Sequence, residues 1–374
     1  MTATDARPSL PPPARGPLWA RMVASPAVQA WVARVPGLRG LARRDGDALM
    51  DVVAGFVHSQ ALLAVVELRL LHRLMDGPAD AAALAAGTGV DARRMGILCD
   101  AACALGLMAR RGGAYRIARR GAALLGVPGL EGMIRHHPTL YGDLSDPVAF
   151  LRGDTDPALA RFWPYVLGDA DDPARAERYS RLMTDSQALV AQETLARVDL
   201  SGAQEVLDVG GGAGAFLVAL GRRHPKPRLH LLDLPAVVPR ARAAFRDAGL
   251  AGRATVTPGS FRDGPLPRGA DAVTLNRVLY DHDDGTVRAL LRAVHDALPP
   301  GGRVVVSEPM AGDRRPERAG DAYFAFYTLA MGTGRTRTPR AIRALLTEAG
   351  FEGARDAGTT RPFVTRVVTA RRRG

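Results

Sequence analysis

Residues 205–216, EVLDVGGGAGAF, limit the fold more than any other stretch of the chain. A short apolar run ends in an acid and passes through glycines into a helical pattern. Gly210, Gly212 and Gly214 leave backbone N–H groups bare at the start of that helix, so a bound group can touch the main chain itself. After Gly202 the same alternation repeats. EVLDV, RLHLLDL, ATVTPGSF, DAVTLNRVL, RVVVSEP and FVTRVVTA are short apolar runs separated by helical segments. Strands that alternate with helices form a parallel, doubly wound sheet. The expected fold class is therefore α/β, with a Rossmann-like C-terminal domain.

Upstream the period is helical. The chain divides into a Pro-rich extension, partly disordered, over 1–40, a helical domain over 41–190, and the α/β domain over 191–374. Residues 17–35 carry Leu18, Trp19, Met22, Val23, Val28, Trp31 and Val32 among arginines. That is an amphipathic pattern, suited to packing on protein or to lying on a membrane. Residues 80–125 then read as helix, turn, helix and hairpin, a winged-helix pattern. Its candidate recognition helix offers only Arg93 and Arg94 among apolar residues, so no nucleic acid is expected as a partner. The apolar helices between 48 and 75 predict a homodimer. The net charge of +12 invites a nucleic-acid or membrane reading, yet Lys226 is the only lysine among 50 basic residues. Such an arginine bias suits a composition spread over the whole surface, with a basic face on an anionic membrane as the alternative. No His/Cys cluster has metal-ligand spacing, so no metal is expected. Cys99 and Cys103 read as core thiols of a reducing cytosol. A cytoplasmic location follows, with peripheral contact at a membrane left open.

The loop alone does not choose its cofactor, since Ala215 would also complete a dinucleotide fingerprint. Asp208 ends the first strand where a pyrophosphate would need room, which favours S-adenosylmethionine. Asp233, ending the second strand with Leu234 after it, can accept two ribose hydroxyls, or else cap the next helix. Ser260 and Phe261 follow the third strand and suit an adenine, although Phe261 could equally be core. Asn276 and Arg277 end the fourth.

ALPPGGRVVVSEP is similar to the turn and fifth strand of class I methyltransferases. More widely, residues 45–370 resemble the O-methyltransferase family that includes plant phenolic and hydroxyindole-type enzymes. GFVHSQ, LYDHDD, SEPM, YFAFYTLAMGTGRTR and RPFVT are similar to its carotenoid branch. The resemblance implies a mostly parallel seven-stranded methyltransferase domain, an N-terminal winged-helix-like dimerisation domain and O-methylation of a hydroxylated acyclic carotenoid. Methylation of small aromatic or polyketide substrates, C-methylation of a tetrapyrrole, and a winged-helix DNA-binding regulator remain as alternatives.

In the plant and hydroxyindole enzymes a histidine within R-x-x-H-D-W removes the substrate proton. Here Arg277 matches the basic residue, but Tyr280 stands at the histidine position. His282 is the nearest imidazole. The resemblance therefore implies His282 as base, with Tyr280 and Glu308 orienting the hydroxyl. The second flanking glutamate of the family is absent near Thr336. The aromatic stretch 321–334 reads as one fully buried helix whose Phe324, Tyr327 and Met331 wall an apolar slot with Met183. Thr338 and Pro339 then open a further helix that stops at Gly350.

Overall fold

The computed structural model describes residues 16–162 and 186–374. Its larger sheet contains β3 (Glu205–Val209), β4 (Arg228–Asp233), β5 (Ala254–Pro258), β6 (Ala272–Asn276), β7 (Arg303–Glu308), β8 (Phe351–Asp356) and β9 (Arg366–Arg372). The order is β5-β4-β3-β6-β7-β9-β8. β3 through β7 are parallel, while β9 runs antiparallel to both neighbours. The central strands are apolar on both faces because helices cover both faces. On β3, Val206 packs with Phe216, Leu217 and Leu220 of helix Ala215–Arg223. The next residue, Leu207, packs with Leu290, Leu291 and Val294 of helix Asp284–Ala297 and with Ile342 of helix Pro339–Glu348. Thr338 caps that last helix by accepting the Ala341 N–H at 3.0 Å. The chain turns away at Gly350, where φ is +96°.

The N-terminal half is helical. Helices Gly55–Glu67, Leu70–Arg73, Ala81–Ala85 and Ala92–Ala104 precede an antiparallel hairpin of β1 (Met108–Arg111) and β2 (Ala114–Ile117). Asp80 and Asp91 cap two of these helices through the Ala83 and Arg94 N–H groups, at 2.8 and 2.9 Å. Val65, Leu70, Leu71, Leu84, Met95, Cys99 and Tyr115 form their core. Both cysteines are free, and burial pushes the Cys99 thiol up to about 11. Leu49, Met50, Val52, Val53, Phe56 and Val57 stay exposed, an unpartnered apolar face at the start of this region.

One expected element differs. The aromatic stretch is not one helix over 321–334. A π-helical turn, Arg318–Phe324, runs into a short helix, Ala325–Ala330. Gly320 sits in the π turn against the Met310 carbonyl, where a Cβ would overlap the backbone. Nor is burial complete, because Leu329 is 46% exposed. This segment bridges the two halves. Tyr327 and Tyr323 bond through their hydroxyls to Nε2 of His136 and His137, at 3.2 and 2.9 Å. Both histidines lie on helix Leu130–Asp143. Burial pushes the His136 imidazole down to about 4, so the contact is made by a neutral ring.

Candidate active site

A cleft of about 350 Å³ opens at the carboxyl ends of the parallel strands, where the strand order reverses on either side of β3. A second, more open depression of about 540 Å³ is lined by surface side chains such as Glu67, Arg69 and Asp76. It lacks the buried polar groups of the first.

The glycine loop forms the floor of the cleft. Gly210, Gly212 and Gly214 hold φ of +68°, +60° and +78°, a region that favours glycine. A Cβ at Gly214 would press on Phe245, whereas one at Gly212 would meet open space. That openness is what a ligand lying on the loop requires. Gly211, which the three-glycine spacing passes over, is also constrained, since a Cβ there would overlap Asp208 Oδ2.

Asp208 and Asn276 lie beneath the loop and do not line the cleft. The Thr274 hydroxyl and Asn276 Nδ2 donate to Asp208 Oδ1, at 2.5 and 2.9 Å. Burial pushes the Asp208 carboxyl up to about 7. From this depth Asp208 and Asn276 hold the loop from below. Asp233 does reach the cleft. Its oxygens accept the Gly212 and Leu234 N–H groups, each at 2.7 Å. One lone pair on each oxygen is left for a vicinal diol. Burial raises this carboxyl, and the two N–H groups oppose the shift. Leu234, Ser260 and Phe261 line the same wall.

The opposite wall starts at Arg277, whose φ of +56° turns the chain sharply after β6. Non-glycine residues in that region are strained and concentrate at functional sites. Arg277 donates to the Ser186 hydroxyl at 3.0 Å and to the Tyr280 hydroxyl at 3.2 Å. The short turn Leu279–Asp281 follows. Tyr280, Asp281 and His282 all line the cleft. Glu308 does not, because its Oε2 accepts the Tyr280 N–H at 3.1 Å from behind. Burial pushes Glu308 up to about 7.

His282 is poorly arranged as a base. Arg262 donates to its Nδ1 at 3.1 Å, so the neutral ring carries its proton on Nε2 and has no free lone pair. Burial and then Arg262 push it down to about 4. Its ring meets the edge of Phe261 at 5.3 Å, which makes the pair an aromatic wall. Asp281, absent from the expected set, is better placed. It is 9% exposed, lines the cleft, and its Oδ1 has no hydrogen-bond partner. Burial raises its carboxyl well above the ordinary range; Arg277 opposes the shift and Glu308 adds to it. The D of R-x-x-H-D-W was the sequence signal for it.

Arg337 holds this turn. Its guanidinium donates to the carbonyls of Leu279 and His282, at 2.7 and 2.8 Å, and to Asp284 at 2.7 and 2.9 Å. Of the expected slot residues, Met331 lines the cleft. Phe324 and Tyr327 are buried behind it, against Tyr323. Met183 lies outside the described residues. Among the described residues no group of His, Cys, Asp and Glu could hold a metal ion.

This geometry can hold a nucleoside with a cationic centre. The bare loop and Asp233 suit the nucleoside, and the Asp281 carboxyl, whose Oδ1 has no hydrogen-bond partner, suits the positive charge. The family comparisons agree. The O-methyltransferase domain matches residues 141–352 and the O-methyltransferase dimerisation domain matches residues 50–126. The chain is 54% identical over 370 residues to a demethylspheroidene O-methyltransferase of Cereibacter sphaeroides, covering 97% of this chain and 98% of that one. It is 50% identical to the protein of the same name in Rhodobacter capsulatus, covering 96% and 91%. The crystal structure of human N-acetylserotonin methyltransferase in complex with SAM superposes with a TM-score of 0.72 at 26% identity, covering 88% and 98%. The chain belongs to the O-methyltransferase family whose members join this catalytic domain to a dimerisation domain.

Proposed function

We propose that this chain transfers the methyl group of S-adenosylmethionine to a hydroxyl of an acyclic carotenoid of the demethylspheroidene type. The observation that carries this reading is the full-length likeness to the two demethylspheroidene O-methyltransferases. Tyr280 at the imidazole position supports it. A phenol has a pKa of about 10 and can be ionised by a histidine. An alkanol is far less acidic, so its proton must leave as the methyl arrives.

The residues fit S-adenosylmethionine. The glycine loop would carry its nucleoside, Asp233 its ribose diol, and Phe261 with His282 its adenine. When bound, it supplies a methyl carbon on a sulfonium, which the substrate oxygen displaces as a neutral thioether. Asp281 Oδ1 takes the hydroxyl proton in the same step, and its carboxylate stabilises the positive charge before it. Arg277 orients the Tyr280 hydroxyl, which directs the substrate oxygen. Positioning supplies much of the rate.

Two measurements follow. Incubation with methyl-labelled S-adenosylmethionine and a detergent-dispersed hydroxylated acyclic carotenoid yields a labelled methyl ether. Labelling of phenols with none in the carotenoid would overturn the reading. Asp233→Ala removes the charge-assisted contacts to the diol and weakens cofactor binding by about 2–3 kcal/mol. An unchanged calorimetric Kd would take Asp233 out of the site.

A further inference from the structure

We infer that residues 18–44 form an interfacial foot that seats the protein on an anionic phospholipid bilayer. The segment lies before both matched domains, which begin at residues 50 and 141. Helices Leu18–Val23, Pro26–Val32 and Arg39–Val53 bury none of their residues. Leu18 is 70% exposed, Trp19 66%, Val23 60% and Trp31 60%. Two of the chain's 3 tryptophans are therefore in the open. Their amphipathic rings suit the headgroup level of a bilayer.

The charge selects the partner. Between residues 16 and 44 there is no acid, whereas Arg21, Arg34, Arg39, Arg43 and Arg44 are all present. Docking this segment on itself in a second copy would set like charges together. An anionic lipid surface pairs with the arginines and takes up the apolar side chains. The character changes beyond residue 44. Asp45, Asp47 and Asp51 appear, and the exposed apolar face of Leu49 to Val57 runs into the dimerisation domain. That second face is left to the partner subunit. Leu18–Val23 and Pro26–Val32, of 6 and 7 residues, are too short to cross a bilayer and suit its surface; the bent pair Arg39–Val53 and Gly55–Glu67, which by length and composition could pass as a broken span, runs into the dimerisation domain instead. The purpose of the foot, access to a substrate dissolved in lipid, rests on the carotenoid reading; the foot itself does not.

The test uses the full chain and vesicles without carotenoid or S-adenosylmethionine. Flotation with phosphatidylglycerol-containing vesicles gives binding at least about tenfold tighter than with phosphatidylcholine alone, and it falls away at about 0.5 M salt. The combined Arg21→Gln, Arg34→Gln and Arg39→Gln variant binds at least about tenfold more weakly. The combined Trp19→Ala and Trp31→Ala variant does the same. Both variants keep the dimer mass by light scattering and methylate detergent-dispersed carotenoid as the parent does. Equal binding to the two lipids, or unchanged binding by the variants, overturns the proposal. So does a fall to monomer mass, which would assign the segment to the second copy. Vesicle binding without methyl transfer would instead sink the substrate reading.

Discussion

Asp281→Asn is expected to slow methyl transfer by about 10²–10⁴-fold, the range for loss of a general base, with cofactor binding weakened far less. Asparagine keeps the size and one carbonyl oxygen, so the turn Leu279–Asp281 has no reason to move. What it loses is an oxygen able to hold a proton. The pH dependence makes the assignment specific. A base acts when deprotonated, so kcat/KM rises as pH rises through its pKa. Burial lifts the Asp281 carboxyl well above the ordinary range, so the rise belongs far above pH 4. His282, pushed down to about 4, would put its limb there instead. In Asp281→Asn the residual rate loses that rise. His282→Gln keeps a ring-free amide beside Arg262 and stays within about tenfold of the parent, because that ring had no lone pair to offer. Single-turnover rates of both variants at saturating cofactor decide between them; a collapse in His282→Gln with normal Asp281→Asn would reverse the assignment.

The difference between these two residues shows where the sequence stops being readable. The strands β3, β4, β6 and β7 and the glycine loop are legible because burial on both faces forces near-continuous apolar runs. β8 is not. Only Phe351 is buried in it, and its pairing with β9 is irregular between Glu352 and Arg355. Such an edge strand leaves no pattern of period two. The site divides in the same way. Position in the loop told which residues stand near a cofactor, but not their depth. Asp208 and Asn276 fall one layer below the cleft, 0% and 3% exposed and hydrogen-bonded to each other. Tyr280, Asp281 and His282 are consecutive, so sequence places them together and says nothing of where each points. Their directions depend on the left-handed backbone at Arg277 and on contacts from the distant Arg337. The aromatic stretch 321–334 carries apolar residues on every side, which suits a core as well as a slot. The π turn at Gly320 settles it by turning Phe324 and Tyr327 behind the wall and leaving Met331 on it.

Arg337→Met is expected to be the most damaging change to the fold around the site, costing about 1–3 kcal/mol for each buried acceptor it leaves short of a donor. The guanidinium is 3% exposed, so its charge is held away from water by its partners alone. It bridges the start and end of one turn, through Leu279 O, His282 O and Asp284. Its own carbonyl accepts the Ala311 N–H at 3.0 Å, which ties the turn to the exit of β7. Methionine fills much of the same volume but takes a donor from each carbonyl, leaving the His282 carbonyl without the guanidinium and the Leu279 carbonyl with only the His282 N–H at 3.2 Å. Asp284→Asn takes away the countercharge but keeps an acceptor oxygen for the guanidinium and leaves both carbonyls bonded to it, so it costs less. Arg337→Lys keeps the charge but replaces a planar fork with a single nitrogen, which reaches one carbonyl or the carboxylate at a time. The order of urea midpoints is then parent, Asp284→Asn, Arg337→Lys and Arg337→Met, from highest to lowest. Methyl transfer follows the same order, because releasing the turn frees Tyr280 and Asp281 together. A methionine variant with the parent's midpoint would show that the turn holds without its clamp, and the direction of Asp281 would then need another cause.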